Sequence, residues 1–207
     1  MTGRSAQSEI TRQRLETEAL RLFHQQGFRA TTMRQITGAC DLTSAAFYNH
    51  FRSKDHLLES LINDAHDDLD RAITTAVAGA DPDPGAQLAA IVRAMTVWHC
   101  GHPELARVAN RDFRDLQGTE SRAVIARRRA LRAVIEDVLD RGVALGVLQP
   151  PGRPEVPSRM VAILILNLMT TIPEWYKPAG PVQPPELAAL YEDTVRRITV
   201  RPAWSPC

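Results

Sequence analysis

Cysteine is scarce in this chain: three in 207 residues, Cys40, Cys100 and Cys207, at no paired spacing. A disulfide framework is thereby excluded, and a reducing, cytoplasmic setting is expected. Long apolar runs are missing too. The longest, "MVAILILNLMTTI", spans about a dozen residues with Asn167 inside it, whereas a bilayer needs about 20. The opening "MTGRSAQSEITRQR" is polar and does not read as a secretory leader. No stretch alternates apolar and polar residues as a strand would, and there are no internal repeats or low-complexity tracts. What remains is 44% hydrophobic and 24% charged, the composition of a soluble globular protein with a sizeable core.

The net charge of +1 conceals an asymmetry. Residues 1–55 hold eight Lys and Arg against five Asp and Glu; of the totals of 25 and 24, that leaves 17 against 19 for the rest. A mildly basic head on a mildly acidic body suits a protein with one region on a polyanion and another region doing something else.

The apolar periodicity is helical throughout and predicts an all-α fold of about nine helices. Leu15, Ala19, Leu22 and Phe23 share one face of a helix over 9–27, closed by Gly27. Thr31 or Thr32 caps a short helix carrying Met33 and Ile36 inward, and Thr43 caps a third over about 44–50. Ser53 starts a fourth, with Asp55 near its positive end, and "DPDPG" at 81–85 stops it near residue 80. Further helices are expected over roughly 85–101, 103–117, 119–147, 155–176 and 185–200. Pro103 suits a helix start, and "QPPGRPEVP" separates the last two helices from the rest.

The informative stretch is "RATTMRQITGACDLTSAAFYNHFRSKDHLL", residues 29–58. On a helix over 44–51, Phe47 and Phe51 fall on one side, four apart, and point inward. Ala45 and Asn49 fall opposite, flanked by Ser44 and Tyr48. That outward face is small, flat and tipped with hydrogen-bonding groups, so it can approach a DNA groove closely. Asn pairs bidentately with adenine, Ser serves several bases, and Ala touches a thymine methyl. The spacing from Thr32 through "CDL" to "TSAAFYNH" has the length of a helix-turn-helix, whose second helix enters the major groove. Thr31, Thr32, Arg34, Tyr48 and Lys54 are then expected at flanking phosphates, while Ser44, Ala45 and Asn49 discriminate sequence.

These residues resemble the DNA-binding domain of the TetR family of transcriptional regulators. "ATTMRQIT…CDLTSAAFYNHFRSKDHLL" follows that family's helix 2, turn, recognition helix and opening of helix 4. Tyr48, His50, Phe51 and the Ser53-Lys54-Asp55 start are in step with it, over about residues 10–60. The resemblance implies a DNA-binding helix-turn-helix domain over 1–55, with Thr43 and His50 added to the interface residues. It also implies a ligand-binding and dimerisation domain over 56–207. Three positions depart from the family: Asp41 and Ala45 stand where Gly is frequent, and Thr37 where Ala is. The Asp41 position calls for a left-handed backbone, which Asp tolerates at some cost.

The family's body binds a small effector and pairs with a second subunit, so the partners implied are double-stranded operator DNA, an effector and a homodimer through the last two helices. A single short recognition helix reads few base pairs, which favours two heads on a palindromic site. "EWYKPAGP", residues 174–181, resembles a helix end in a subgroup that includes repressors of lipid and steroid breakdown, some answering to acyl-coenzyme A thioesters. Met95, Trp98, Phe113, Leu166, Met169 and Trp175 are candidate pocket residues, with Arg128 for an acidic ligand group. "WHCGH" at 98–102 fits no zinc spacing, so no metal and no cofactor are expected. An alternative reading is a helical enzyme using His99 or His102 with Cys100, or a protein-binding adaptor. No motif assembles nucleophile, base and oxyanion donors, and the chain is expected not to be an enzyme.

Overall fold

A computed structural model of the chain describes residues 3–149 and 156–199; Cys207 and most of the "QPPGRPEVP" link lie outside them. In order come α1 (Gly3–Gln26), α2 (Met33–Ala39), α3 (Ser44–Tyr48), α4 (Lys54–Ala78), α5 (Pro84–Gly101) and α6 (Pro103–Asp112). A 3-10 turn at Phe113–Asp115 follows, then α7 (Gly118–Ala144), α8 (Ser158–Thr170), α9 (Ile172–Trp175) and α10 (Pro184–Thr199). Among the described residues there is no strand. The fold is all-α, and the nine expected helices are present. One of them, expected as a single helix over 155–176, is divided into α8 and the single turn α9. Pro173 has no N–H to give the carbonyl of Met169, so the α-helical ladder cannot run through it.

The helix ends follow local chemistry. Gly27 adopts φ 85°, and its N–H bonds back to the Phe23 carbonyl at 2.9 Å, closing α1. Asp83 caps α5 through a 2.9 Å bond from the Ala86 N–H, with Pro84 at its first turn. Ser53 accepts from the His56 N–H at 3.0 Å to start α4, and Asp55 lies in that first turn.

Two compact units emerge, and neither is contiguous in sequence. The first joins Met1–His66 to Glu104–Ile125. Its core holds Leu15, Ala19, Phe23, Ile36, Phe47, Phe51, Leu57, Leu58 and Ile62, with Val108 and Val124 from the later segment. Leu22 and Met33, expected inward, are only half-buried. The second joins Asp67–Pro103 to Ala126–Cys207. There α5 packs against α10 and against α8 and α9, burying Ile91, Val92, Met95, Val161, Ile165, Met169, Leu187 and Val195. Fully burying such side chains contributes about 1.5–3 kcal/mol each. Among the described residues no helix is long and apolar enough to cross a membrane.

Candidate nucleic-acid interface

The site grows from two caps and a turn. At the start of α2 the Gln35 N–H bonds to the Thr32 hydroxyl at 3.3 Å, while the Gln35 side chain accepts from the Thr32 N–H at 2.8 Å. This reciprocal box satisfies two orphan donors and fixes where α2 begins. The helix ends at Cys40, and Asp41 takes φ 53°, the left-handed conformation that its position called for. A 2.9 Å bond from the Leu42 N–H to the Thr37 carbonyl tightens the turn. Thr43 then caps α3, accepting from the Ala46 N–H at 3.2 Å.

Packing fixes how α3 is rolled. Phe47 and Phe51 are both buried, their ring centroids 5.6 Å apart. The side away from them is therefore outward: Thr43, Ser44, Ala45, Tyr48 and Asn49 are all exposed, Tyr48 at 61%. Helical geometry carries on past Tyr48, since Asn49 sits at φ −70° and ψ −18° and the Phe51 N–H reaches the Phe47 carbonyl at 3.0 Å. Asn49 thus stays on the same face as Ala45. Among the described residues no hydrogen bond engages the side chains of Ser44, Tyr48 or Asn49. His50 is half-buried beside this face, and Arg34 is exposed on α2.

Two residues expected at phosphates are placed otherwise. Thr31 is buried; its hydroxyl donates to the Gly27 carbonyl at 2.8 Å and accepts from the Gln26 side-chain amide at 3.1 Å. It stitches the end of α1 and presents nothing outward. Lys54 turns its ammonium onto the carbonyls of Phe28 at 2.8 Å and Thr31 at 2.7 Å, and over the Phe28 ring at 4.2 Å. Burial lowers its pKa, opposed by the charges of Asp55 and Asp115. The Thr32 hydroxyl is exposed but is taken up by Gln35, to whose carbonyl oxygen it donates at 2.9 Å.

Five further cations of residues 1–55 are engaged as well. Arg12 bonds Glu16 at 3.0 Å and Ser60 at 2.9 Å, Arg14 the Cys40 carbonyl at 2.9 Å, and Arg21 pairs with Glu18 at 2.8 Å. Arg29 meets Asp115 at 2.7 Å, and Arg52 meets Glu120 at 4.0 Å. Glu120 is held below the usual carboxylate range by its own backbone N–H and the Thr119 hydroxyl, with Arg52 contributing. Arg111 of α6 donates to the Phe23 carbonyl at 2.7 Å, capping α1 from a distant part of the chain. Sequence reading missed these roles of residues 104–125, because nothing local announces a partner some 86 positions away.

In the second unit the residues expected around an effector divide. Met95 and Met169 are buried, and the Met169 sulfur accepts from the Thr96 hydroxyl at 3.3 Å. Trp98 is nearly buried; its indole N–H donates to Asp68 at 2.8 Å and its ring stacks on His102 at 5.0 Å. Leu166 and Arg128 are half-buried, and Trp175 is half-exposed. Phe113 belongs to the first unit. A surface depression of about 410 Å³ is lined instead by Asp67, Asp70, Arg71, Thr74 and Thr75 of α4, none of them in the expected set.

The "WHCGH" residues separate onto different surroundings. His99 is buried, its ring on the Met95 carbonyl at 2.7 Å, and burial pushes its pKa down to about 4. Cys100 is buried, and its thiol is pushed up to about 11 by that burial, against a hydrogen bond with Tyr176. Among the described residues no group of three or more His, Cys, Asp or Glu is placed to hold a metal ion.

Residues 17–61, which carry α2, the turn and α3, match the family described as "Bacterial regulatory proteins, tetR family". Residues 81–199 match "Tetracyclin repressor-like, C-terminal domain". The chain belongs to the TetR family. The repressor KstR2 of Mycolicibacterium smegmatis is 25% identical over 183 residues, covering 84% of this chain and 82% of that protein. A crystal structure of a TetR-family regulatory protein from Rhodococcus RHA1 superposes with TM-score 0.82 at 25% identity, covering 92% of this chain and 97% of that one. AibR, solved in complex with isovaleryl coenzyme A and operator DNA, shares the fold with TM-score 0.78 at 22% identity, covering 91% and 97%. Like other TetR-family members, this protein is a DNA-binding transcriptional regulator and not an enzyme.

Proposed function

We propose that the protein is a homodimeric repressor, released from a palindromic operator by a small apolar or acyl-coenzyme A-like effector. The observation that carries the DNA-reading part is the face formed by Ser44, Ala45, Tyr48 and Asn49 above the buried Phe47 and Phe51. On this reading residues 1–55 are the reading head and 56–207 the effector and pairing body, acting in the cytoplasm where the DNA is. Ser44, Ala45 and Asn49 discriminate bases, while Arg34, Thr32, Thr43, Tyr48 and His50 position the backbone.

Pairing through the last helices is supported by exposed apolar side chains there: Met160 and Leu164 on α8 and Leu190 on α10. A second copy covers such a stripe economically and presents two heads. For the effector, Leu166, Trp175 and Arg128 keep solvent-accessible surface, whereas Met95, Trp98 and Met169 are core whose repacking would line an opened cavity. AibR, a protein of this fold, forms a complex with a coenzyme A thioester, which supports trying that class first. Release requires the effector to bind the arrangement that cannot hold DNA more tightly than the one that can.

Selection of bound duplexes from a random pool, with and without short acyl-coenzyme A thioesters, tests the reading. It expects an enriched palindrome and its loss on thioester addition. Asn49→Ala should relax base preference at one position of each half-site, and unchanged preference would exclude α3 as the reader. Enrichment that survives every thioester but yields to another apolar class would remove the thioester while leaving the repressor.

A further inference from the structure

Binding DNA needs cations facing phosphates, yet six of the seven Lys and Arg with described side chains in residues 1–55 are engaged inside the first unit. Arg34 is the exception, with no ion pair or side-chain hydrogen bond among the described residues. The engaged six are not held alike. Arg12, Arg14 and Lys54 are woven into the packing through backbone carbonyls, a hydroxyl and an aromatic ring. Arg21 is paired along its own helix and with Gln25. Arg29 and Arg52 are different: their side chains are 83% and 76% exposed, and each faces one carboxylate brought from far along the chain, Arg29 hydrogen-bonded to Asp115 at 2.7 Å and Arg52 in a longer ion contact with Glu120 at 4.0 Å.

These two arginines bracket the reading element. Arg29 lies in the turn before α2, and Arg52 in the turn between α3 and α4. Their carboxylates come from one stretch of chain, Asp115 in the 3-10 turn after α6 and Glu120 in the first turn of α7, and are themselves only 21% exposed. A carboxylate on a guanidinium presents the same acceptor geometry as a phosphate. Exposed ion pairs of this kind are weak and exchange readily.

We infer that Arg29 and Arg52 are phosphate-contacting residues of the DNA complex, held in the free protein by Asp115 and Glu120, which act as an internal stand-in for phosphate. DNA binding then exchanges one anion for another on each guanidinium. An arginine already neutralised adds little net charge to the encounter, so the pairs weaken binding and flatten its salt dependence. The acids lie in the stretch that matches the family's C-terminal domain, so displacing residues 113–120 changes how many cations the head offers. This rests on the outward face of α3 being the side turned to DNA.

Fluorescence anisotropy of the full-length protein, on a selected operator and on a scrambled duplex over a range of salt concentrations, tests it. Asp115→Asn and Glu120→Gln should each tighten both duplexes by about two- to fivefold. Each should also steepen the dependence of log affinity on log salt by about one. Arg29→Ala should abolish the gain from Asp115→Asn, and Arg52→Ala that from Glu120→Gln. Unchanged affinity and slope in folded single variants would overturn the inference. So would a gain that persists in the Arg→Ala background, which reports only a less acidic surface. A failed base-preference test on Asn49 would instead remove the α3 reading, and the two results are separable.

Discussion

Lys54 is bonded to the carbonyl of Thr31, Nζ to oxygen 2.7 Å, across 23 residues of sequence. That bond, with its partner on Phe28 and the ring beneath, fastens the start of α4 to the turn after α1. Lys54→Met keeps the aliphatic stem and loses two charge-assisted hydrogen bonds. Unfolding in urea should show a loss of about 2 kcal/mol. Affinity should fall by the same factor for operator and random duplex, because the head loosens without any base contact changing. Full stability with weakened binding would instead give Lys54 a direct phosphate role.

Asp41 holds φ 53° without the freedom of glycine. Asp41→Gly should raise stability by about 0.5 kcal/mol, the left-handed penalty of roughly 1 kcal/mol less about half that in extra unfolded-state entropy. Chemical denaturation of the pair measures it, and a loss would mean that the Asp side chain contributes more than the strain costs.

His99 is buried with its pKa lowered to about 4, from the ordinary 6.5, by desolvation. The unfolded chain therefore takes up this proton first, and stability falls as the pH drops from about 6.5 towards 4. A loss of the order of 3 kcal/mol is expected over that window, with none contributed above it. His99→Gln should flatten the acid limb of a stability-against-pH curve. An equally steep limb in the variant would assign the acid sensitivity elsewhere.

Cys40 and Cys100 are both buried, and burial raises both thiol pKa values. A thiol kept protonated is a poor nucleophile. In a Cys207→Ser background, a disulfide reagent at pH 8 should label neither thiol in the native protein and both after denaturation. Rapid native labelling of Cys100 would contradict its placement.

Short-range chemistry was legible in the sequence. The caps at Thr43 and Ser53, the closing Gly27 and the inward Phe47 and Phe51 all depend on residues within a turn or two, while the left-handed Asp41 followed from the family resemblance. The partners of Lys54, Arg29 and Arg111 were not legible, because a long flexible side chain finds its acceptor in tertiary space and sequence spacing is silent about that. The cap of α2 stays open between Thr31 and Thr32 in the sequence, since either hydroxyl serves on paper, and Gln35 reaching back to Thr32 decides it. The break between α8 and α9 falls just before Pro173, inside an apolar period that runs on through both helices.

Arg111 reaching the Phe23 carbonyl has a consequence for engineering new regulators. A hybrid that swaps in a foreign amino-terminal module at residue 55 would lose the bond from Arg111 to the Phe23 carbonyl and would separate the acids at 115 and 120 from Arg29 and Arg52. Exchanging operator specificity therefore calls for transplanting two separate stretches of chain together, or for redesigning the seam where they meet.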